Sequence, residues 1–191
     1  MQLVMGKSVL ELGGSYLGDL REANDILDDA QLLNERMDED GYLLLRRLQS
    51  RQAVLDARAM LLDHLNQNGQ IDSRFPMDEA VVAEDGRGHF GGGRKELTHS
   101  PEFLSVVDSP EIMDFFVHFL SGDVITYDYK WLRVVEPGGN TGAHYDMVYM
   151  GRGTKNVYTC WTPFGDVGYE LGSLAVLVGE TTHTMRVQLV R

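Results

Sequence analysis

Cysteine is almost absent from the 191-residue sequence: Cys160 stands alone, so the chain cannot form an internal disulfide or a Cys-rich zinc site. This composition is typical of a protein in a reducing, cytoplasmic compartment. Basic residues are also few, because 17 lysines and arginines accompany 29 aspartates and glutamates and leave a formal net charge of -12. A surface of that charge repels phosphate, so we expect neither nucleic acid nor an anionic membrane as a partner.

Long apolar runs and several enzyme motifs are missing as well. The N-terminus carries Lys7 and Glu11 where a secretion signal would be apolar, and no run approaches the roughly 20 apolar residues of a membrane helix. The chain has no G-x-S-x-G motif of an esterase. Its G-x-G-x-x-G match at 86–91 is followed by Gly92 and Gly93, which oppose a helix, so we predict a loop there rather than a dinucleotide site.

The pattern between residues 24 and 121 is largely helical. Apolar residues recur every three or four positions over 26–37, and Gly41 ends that helix. Residues 1–23 show no such pattern, and we predict that they form a poorly ordered leader before a single domain at 24–191. Three serines stand where a helix would begin and can accept a hydrogen bond from its first turn: Ser50, Ser100 and Ser109.

The pattern between residues 122 and 191 is that of β-structure. Runs rich in β-branched and aromatic residues alternate there with glycine, proline and asparagine. Cys160 lies in one of these runs and is predicted to be a buried structural thiol. The fold class is therefore predicted as α+β, with helices packed on a sheet. The predicted strands occupy 124–137, 156–164, 173–179 and 184–190, with one more candidate at 42–48.

A histidine and an aspartate stand two residues apart in "TGAHYDMVYM", residues 141–150. On a strand, residues two apart point to the same face, so the imidazole of His144 and the carboxylate of Asp146 can hold one ion from one side. Such a pair is the first part of the 2-His-1-carboxylate arrangement that binds ferrous iron and leaves positions open for dioxygen and a co-substrate. Because the H-x-D spacing also occurs by chance, the neighbouring sequence decides the interpretation.

Elements on both sides of the H-x-D pair match one known family in order. A strand ending in "EPGG" at 136–139 precedes the pair, and a "VYMGRG" loop, a strand with Trp161 and the turn "PFGDVGYELG" at 163–172 follow it. The opening "MDEDGYLLLRRLQSRQAVLDARAML" from Met37 adds a helix, a strand and a second helix. Together these elements resemble the phytanoyl-CoA dioxygenase family of Fe(II)- and 2-oxoglutarate-dependent oxygenases over about residues 24–180.

The resemblance implies a double-stranded β-helix of the jelly-roll or cupin type, with the N-terminal helices packed on one sheet. It also implies an oxidoreductase: a dioxygenase that uses Fe(II), 2-oxoglutarate and dioxygen to hydroxylate a small organic substrate. In such an enzyme His144 and Asp146 would be the catalytic metal ligands. Trp161 and Tyr145 would line the 2-oxoglutarate pocket, and Arg87 lies roughly where a basic residue of the family contacts this co-substrate.

The chain departs from the family pattern near its C-terminal end. The family's second histidine ligand, and the arginine that binds 2-oxoglutarate, are expected further downstream than Arg191. His183 matches a different family histidine, in a G-S-H element that does not bind iron, so it is the less favoured third ligand. We therefore expect a fragment or a truncated gene product, with the complete activity in a longer protein.

Two other functions stay open at this point. A truncated, non-catalytic relative would act as a binding or interaction module, because the strands at 173–179 and 184–190 would expose apolar faces and unpaired edges that promote self-association. A cupin-like metal protein would instead use His183 together with His144 and Asp146. The resemblance leaves the identity of the substrate open under each reading.

Overall fold

The structure is a computed structural model that divides into two compact units. The first unit comprises Met1–Leu48, Asp114–Asp123 and Asp166–Arg191, and the second comprises Gln49–Met113 and Val124–Gly165. The residues that the structure describes are 1–5, 7–84, 90–92, 94–135, 138–139, 141–142, 144–146, 150, 153–154, 156–178 and 186–189.

Helices dominate the chain between residues 24 and 121, as the sequence predicts. The helix expected from residue 24 begins later, because Asn24–Ile26 form a separate 3-10 turn and the Asp29 side chain then accepts a hydrogen bond from the Leu32 amide at 3.0 Å. Within the described residues the α-helices are α1 Ala30–Asp40, α2 Arg51–Gln67, α3 Lys95–Thr98, α4 Pro101–Val107 and α5 Pro110–Leu120.

The three predicted serine caps are confirmed. The Ser50 hydroxyl accepts from the Ala53 amide at 3.4 Å at the start of α2. Ser100 and Ser109 accept in the same way from the third residue after each, at 3.2 Å and 3.4 Å, at the starts of α4 and α5. Each cap satisfies one of the amides that the first turn of a helix leaves without a partner.

Gly41 ends α1 in the left-handed conformation, with φ of 76° and its amide donating to the Met37 carbonyl at 2.8 Å. Gly41→Ala is therefore expected to lower the free energy of unfolding by about 1 kcal/mol, because a Cβ is disfavoured at positive φ. Chemical denaturation measures the difference. Gly122→Ala is the matched control, since Gly122 also follows a helix but lies outside the left-handed region. Equal losses from both variants would contradict the role given to Gly41.

The strands are short and form three small sheets within the described residues. In the first unit, β1 and β2 pair antiparallel, and β7 pairs parallel with β3 and antiparallel with β6. In the second unit, β4 pairs antiparallel with β5. The chain is thus of mixed helix and strand, and these few strands do not by themselves make a double-stranded β-helix. The strands are β1 Gln2–Met5, β2 Ser8–Glu11, β3 Leu17–Asp19, β4 Phe90–Gly92, β5 Leu132–Val134, β6 Ala175–Val178 and β7 Arg186–Leu189.

Several predicted strands differ from the observed ones. Among its described residues, the run at 124–137 forms a strand only at β5, and residues 156–164, all of them described, are in no strand. The candidate at 42–48 is wrong as a strand, because only Leu44 makes an isolated bridge, with Glu22. Strands β6 and β7 lie where the sequence predicts them. Residues 1–23, taken as a leader, contain β1 to β3 and the buried residues Leu17 and Leu20; the single domain at 24–191 stays a prediction.

The apolar core of the second unit fixes the strand that precedes the H-x-D residues. Helix α2 packs against α4, and the rings of Phe103 and Phe164 stack with centroids 5.1 Å apart. Leu132, in the middle of this arrangement on β5, is 3% exposed. The buried members of the cluster are Leu61, Leu62, Leu65, Ile71, Leu97, Phe103 and Leu132.

The first unit has two smaller clusters of its own. Leu20, Tyr42 and Leu44 form one of them. Ala23, Leu33 and Phe119 form the other, in which the rings of Phe115 and Phe119 stack with centroids 5.8 Å apart. Across the described ranges, no helix is long and apolar enough to cross a membrane.

Candidate metal centre

His144 and Asp146 lie side by side in the second unit. The His144 Nε2 atom is 3.2 Å from the Asp146 Oδ1 atom, and each side chain is about 40% exposed. Neither residue belongs to a strand, so the alternation of a strand is not what brings them together. Asp146 lies in a turn instead, with its backbone carbonyl accepting from the Met150 amide at 3.2 Å. The two side chains therefore converge, as the sequence spacing predicts, although neither lies on a strand.

A backbone carbonyl sets the orientation of the His144 ring. The His144 Nδ1 atom lies 2.8 Å from the carbonyl oxygen of Gly142. Since a carbonyl can only accept, Nδ1 carries the proton and donates it. In the neutral imidazole the lone pair is then on Nε2, facing an Asp146 oxygen that is also an acceptor. Two acceptors this close repel each other unless a proton or a cation lies between them.

The donor set fits a divalent metal. Two ligand atoms that are each about 2.1 Å from one ion, at a right angle, lie about 3 Å apart, close to the separation observed here. Histidine ligands usually donate their other ring N–H to a carbonyl or a carboxylate, as His144 does to Gly142. An imidazole nitrogen together with a carboxylate oxygen matches two of the three ligands that non-haem Fe(II) oxygenases use.

A third ligand is not among the described residues. In that part of the chain, no group of three histidine, cysteine, aspartate or glutamate residues could hold a metal ion. His183, the less favoured third ligand, lies outside the described residues, and so does Arg87, the expected co-substrate contact. Tyr145 is 79% exposed and Trp161 is 41% exposed. The structure thus brings together His144 and Asp146, and the roles of the other residues stay predictions.

The segment from Tyr127 to Arg133, here named the brace segment, is bonded to both ends of residues 141–150, the H-x-D region. The Arg133 guanidinium donates through Nη1 to the Thr141 hydroxyl at 2.5 Å. The Tyr127 hydroxyl donates to the Met150 carbonyl at 3.4 Å. Sequence reasoning missed both ties, because nothing in the spacing of these residues signals that their side chains meet.

A buried lysine holds the brace segment to α4. The Lys130 ammonium donates to the Thr126 hydroxyl at 2.8 Å and to the Tyr127 carbonyl at 2.6 Å. It also lies 3.0 Å from Oδ2 of Asp108, the residue that follows α4, and the Lys130 side chain is 13% exposed. Its donors are therefore directed at three oxygens, as a largely buried ammonium requires.

Two further side chains fix the middle of the brace segment. Asp128 accepts from the Lys95 ammonium at 2.7 Å, and its other oxygen lies 3.0 Å from His99 Nε2. The hydrogen bond from Lys95, followed by that from His99, lowers the pKa of the Asp128 carboxyl to about 2. Asp128 is therefore ionised at neutral pH, and it pairs α3 with the segment that precedes the H-x-D residues.

Cys160 is not the buried residue that the sequence predicts. It is exposed, because residues 156–163 run without strand partners in the described structure. Its sulfur lies 3.5 Å from the Thr162 hydroxyl. Although the residue as a whole is exposed, neighbouring protein atoms desolvate the thiol and raise its pKa. A raised pKa lowers the thiolate fraction, so Cys160 is not set up as a nucleophile.

Comparison with known proteins identifies the family. The family model for phytanoyl-CoA dioxygenase (PhyH) matches residues 37–191, which is most of the chain and includes the H-x-D pair. The chain belongs to the phytanoyl-CoA dioxygenase family. The resemblance drawn from the sequence is thereby confirmed.

The chain is similar in sequence to a bacterial hydroxylase. This relative is 1-deoxypentalenic acid 11-beta-hydroxylase of Streptomyces exfoliatus, which is 26% identical over 168 residues. That match covers 85% of this chain and 58% of the relative, so the chain spans less than two thirds of the relative's length. Among solved structures, none matches the chain significantly.

Proposed function

We propose that this protein is an Fe(II)- and 2-oxoglutarate-dependent dioxygenase that hydroxylates a small organic substrate. The observation that carries the proposal is the His144–Asp146 pair, with Nε2 and Oδ1 3.2 Å apart and Nδ1 donating to the Gly142 carbonyl. Membership of the phytanoyl-CoA dioxygenase family supports it. The name of the relative describes hydroxylation of an organic acid, which fits a small organic substrate.

The two side chains have separate tasks in this proposal. His144 would donate the Nε2 lone pair to Fe(II), and its Nδ1–H bond to Gly142 would keep that lone pair aimed at the ion. Asp146 would supply a negative charge that offsets part of the charge of the ion. When bound, Fe(II) together with 2-oxoglutarate and dioxygen supplies the oxidising power for hydroxylation.

The remaining residues of the site belong to the same proposal. Trp161 and Tyr145 would border the 2-oxoglutarate pocket, and Arg87 would contact the co-substrate. His183 is the candidate third ligand within the chain, although the family pattern favours a histidine beyond it. The proposed fold of the complete domain is a double-stranded β-helix, which family membership supports.

An anaerobic titration tests the proposed function. Fe(II) added to the folded chain in the presence of 2-oxoglutarate is expected to produce the weak visible charge-transfer band of the iron chelate. The band should disappear in His144→Ala and persist in His118→Ala, which removes an exposed imidazole from α5.

Two results would count against the proposal. A band that survives His144→Ala would place the iron elsewhere. A folded chain that gives no band would mean that the metal site is broken in this chain, and its function would then be sought in a longer product or in binding. Circular dichroism of each variant separates loss of the site from loss of the fold.

A further inference from the structure

Arg133 is in a position to control the geometry of the H-x-D pair without touching a substrate or a metal. We propose that Arg133 is a positioning residue: by holding Thr141, it fixes the Gly142 carbonyl that orients His144. The part of this inference that concerns metal affinity rests on the proposed function. The part that concerns the imidazole does not.

Arg133 has two partners that together fix its guanidinium. Its central carbon lies 5.1 Å from the centroid of the Trp131 ring, and its Nη1 donates to the Thr141 hydroxyl at 2.5 Å. A planar guanidinium can stack through its face and donate through its edge at the same time, which a lysine cannot do. Trp131 is in turn packed edge-on against Tyr129, with centroids 5.9 Å apart at 83°.

The hydrogen bond to Thr141 acts directly beside a glycine. Gly142 follows directly, and a Cβ placed on it would meet no atom within 4 Å among the described residues, so packing does not restrain it. Glycine has the widest backbone freedom of any residue. The direction of the Gly142 carbonyl, and with it the bond to His144 Nδ1, therefore depends on what holds the neighbouring residue.

The brace segment is itself anchored at Leu132 and Lys130. Leu132 beside Arg133 is 3% exposed in the apolar core, and Lys130 is bonded to three oxygens. The opposite end of the H-x-D region is tied to the same segment through Tyr127 and Met150. With both ends fixed to one anchored segment, His144 and Asp146 keep their separation without a strand of their own.

A double-mutant cycle tests whether Arg133 acts through Thr141. Arg133→Ala and Thr141→Val are each expected to weaken Co(II) binding about 10-fold, the lower end of what loss of an outer partner costs a metal ligand. The double variant should be no more than about 2-fold weaker than either single one, because both changes break the same link. Arg133→Lys should fall between Arg133→Ala and the parent protein. Arg51→Ala, which removes an exposed guanidinium from α2, should leave Co(II) affinity unchanged.

A second readout needs no metal. In the ¹⁵N spectrum of the apo-protein, His144 should show a proton fixed on Nδ1, as its bond to the Gly142 carbonyl requires, with the signal assigned by its loss in His144→Ala. Arg133→Ala and Thr141→Val should shift that signal towards the tautomer mixture of an unrestrained imidazole, and Arg51→Ala should not.

The two readouts distinguish the two proposals. If the parent protein binds no Co(II), the proposed function fails, while the tautomer measurement still decides the role of Arg133. An unchanged His144 tautomer in Arg133→Ala overturns the positioning role. Additive losses of affinity in the double variant overturn it as well, because Arg133 would then act by a route other than Thr141.

Discussion

Asp146→Ala is expected to weaken Fe(II) binding by at least about 100-fold, because even the loss of an outer hydrogen-bond partner of a metal ligand costs about 10- to 100-fold. Asp146 supplies the carboxylate of the pair, at 3.2 Å from His144 Nε2. Without it, a single imidazole is left in the described part of the site, and the positive charge of the ion has no offset there. Anaerobic calorimetry with Fe(II) or Co(II) measures the change in affinity.

The charge and the geometry of Asp146 can be separated by a second variant. Asp146→Asn keeps an oxygen donor of the same shape but removes the negative charge, so it should bind more tightly than Asp146→Ala and more weakly than the parent protein. Asp63→Ala removes an exposed carboxylate from α2 and is expected to leave the affinity unchanged. Parent-like affinity in Asp146→Ala would show that the metal is held elsewhere.

The helices could be predicted from the sequence because their signals are local. Ser50, Ser100 and Ser109 each accept from an amide only three residues later, and Gly41 adopts the left-handed conformation directly after α1. Such interactions form within one turn of chain, so a short stretch of sequence contains both partners.

The strands were predicted less well because a strand needs a partner that is remote in sequence. The run at 124–137 has the composition of a strand, yet among its described residues only β5 pairs, and its partner β4 lies about 40 residues earlier. Ile125 in the same run is 96% exposed. The composition of a run indicates that its residues favour an extended backbone, but it does not indicate which other strand will pair with them.

The candidate site could also be predicted from the sequence only in part. The spacing of His144 and Asp146, together with the flanking motifs, was enough to select the pair and the family. The expected mechanism, alternation along a strand, was wrong, because neither residue lies in a strand. The Arg133–Thr141 bond could not be predicted, since nothing in the spacing of these two residues signals that their side chains meet.

Phe119→Ala is expected to destabilise the first unit by about 3–5 kcal/mol, a larger loss than that expected from Gly41→Ala. Phe119 is 1% exposed, stacks on Phe115 and packs with Ala23 and Leu33, which are 0% exposed. Removing the ring leaves a cavity that these neighbours line. For a chain of this length, such a loss should lower the unfolding temperature by roughly 10 °C, which calorimetry or thermal circular dichroism will detect.

Val117→Ala is the matched control, because Val117 is on the same helix and 43% exposed. Its free energy of unfolding should stay within about 0.5 kcal/mol of the parent value, as for other surface changes. The Asn34 side-chain amide donates to the Phe119 backbone carbonyl at 3.0 Å, and that bond is kept in both variants, so the comparison isolates the ring. Equal losses of stability in both variants would show that the cluster around Phe119 is not a core of the first unit. A lower unfolding temperature in Phe119→Ala alone would show that the burial of this ring holds α5 to α1.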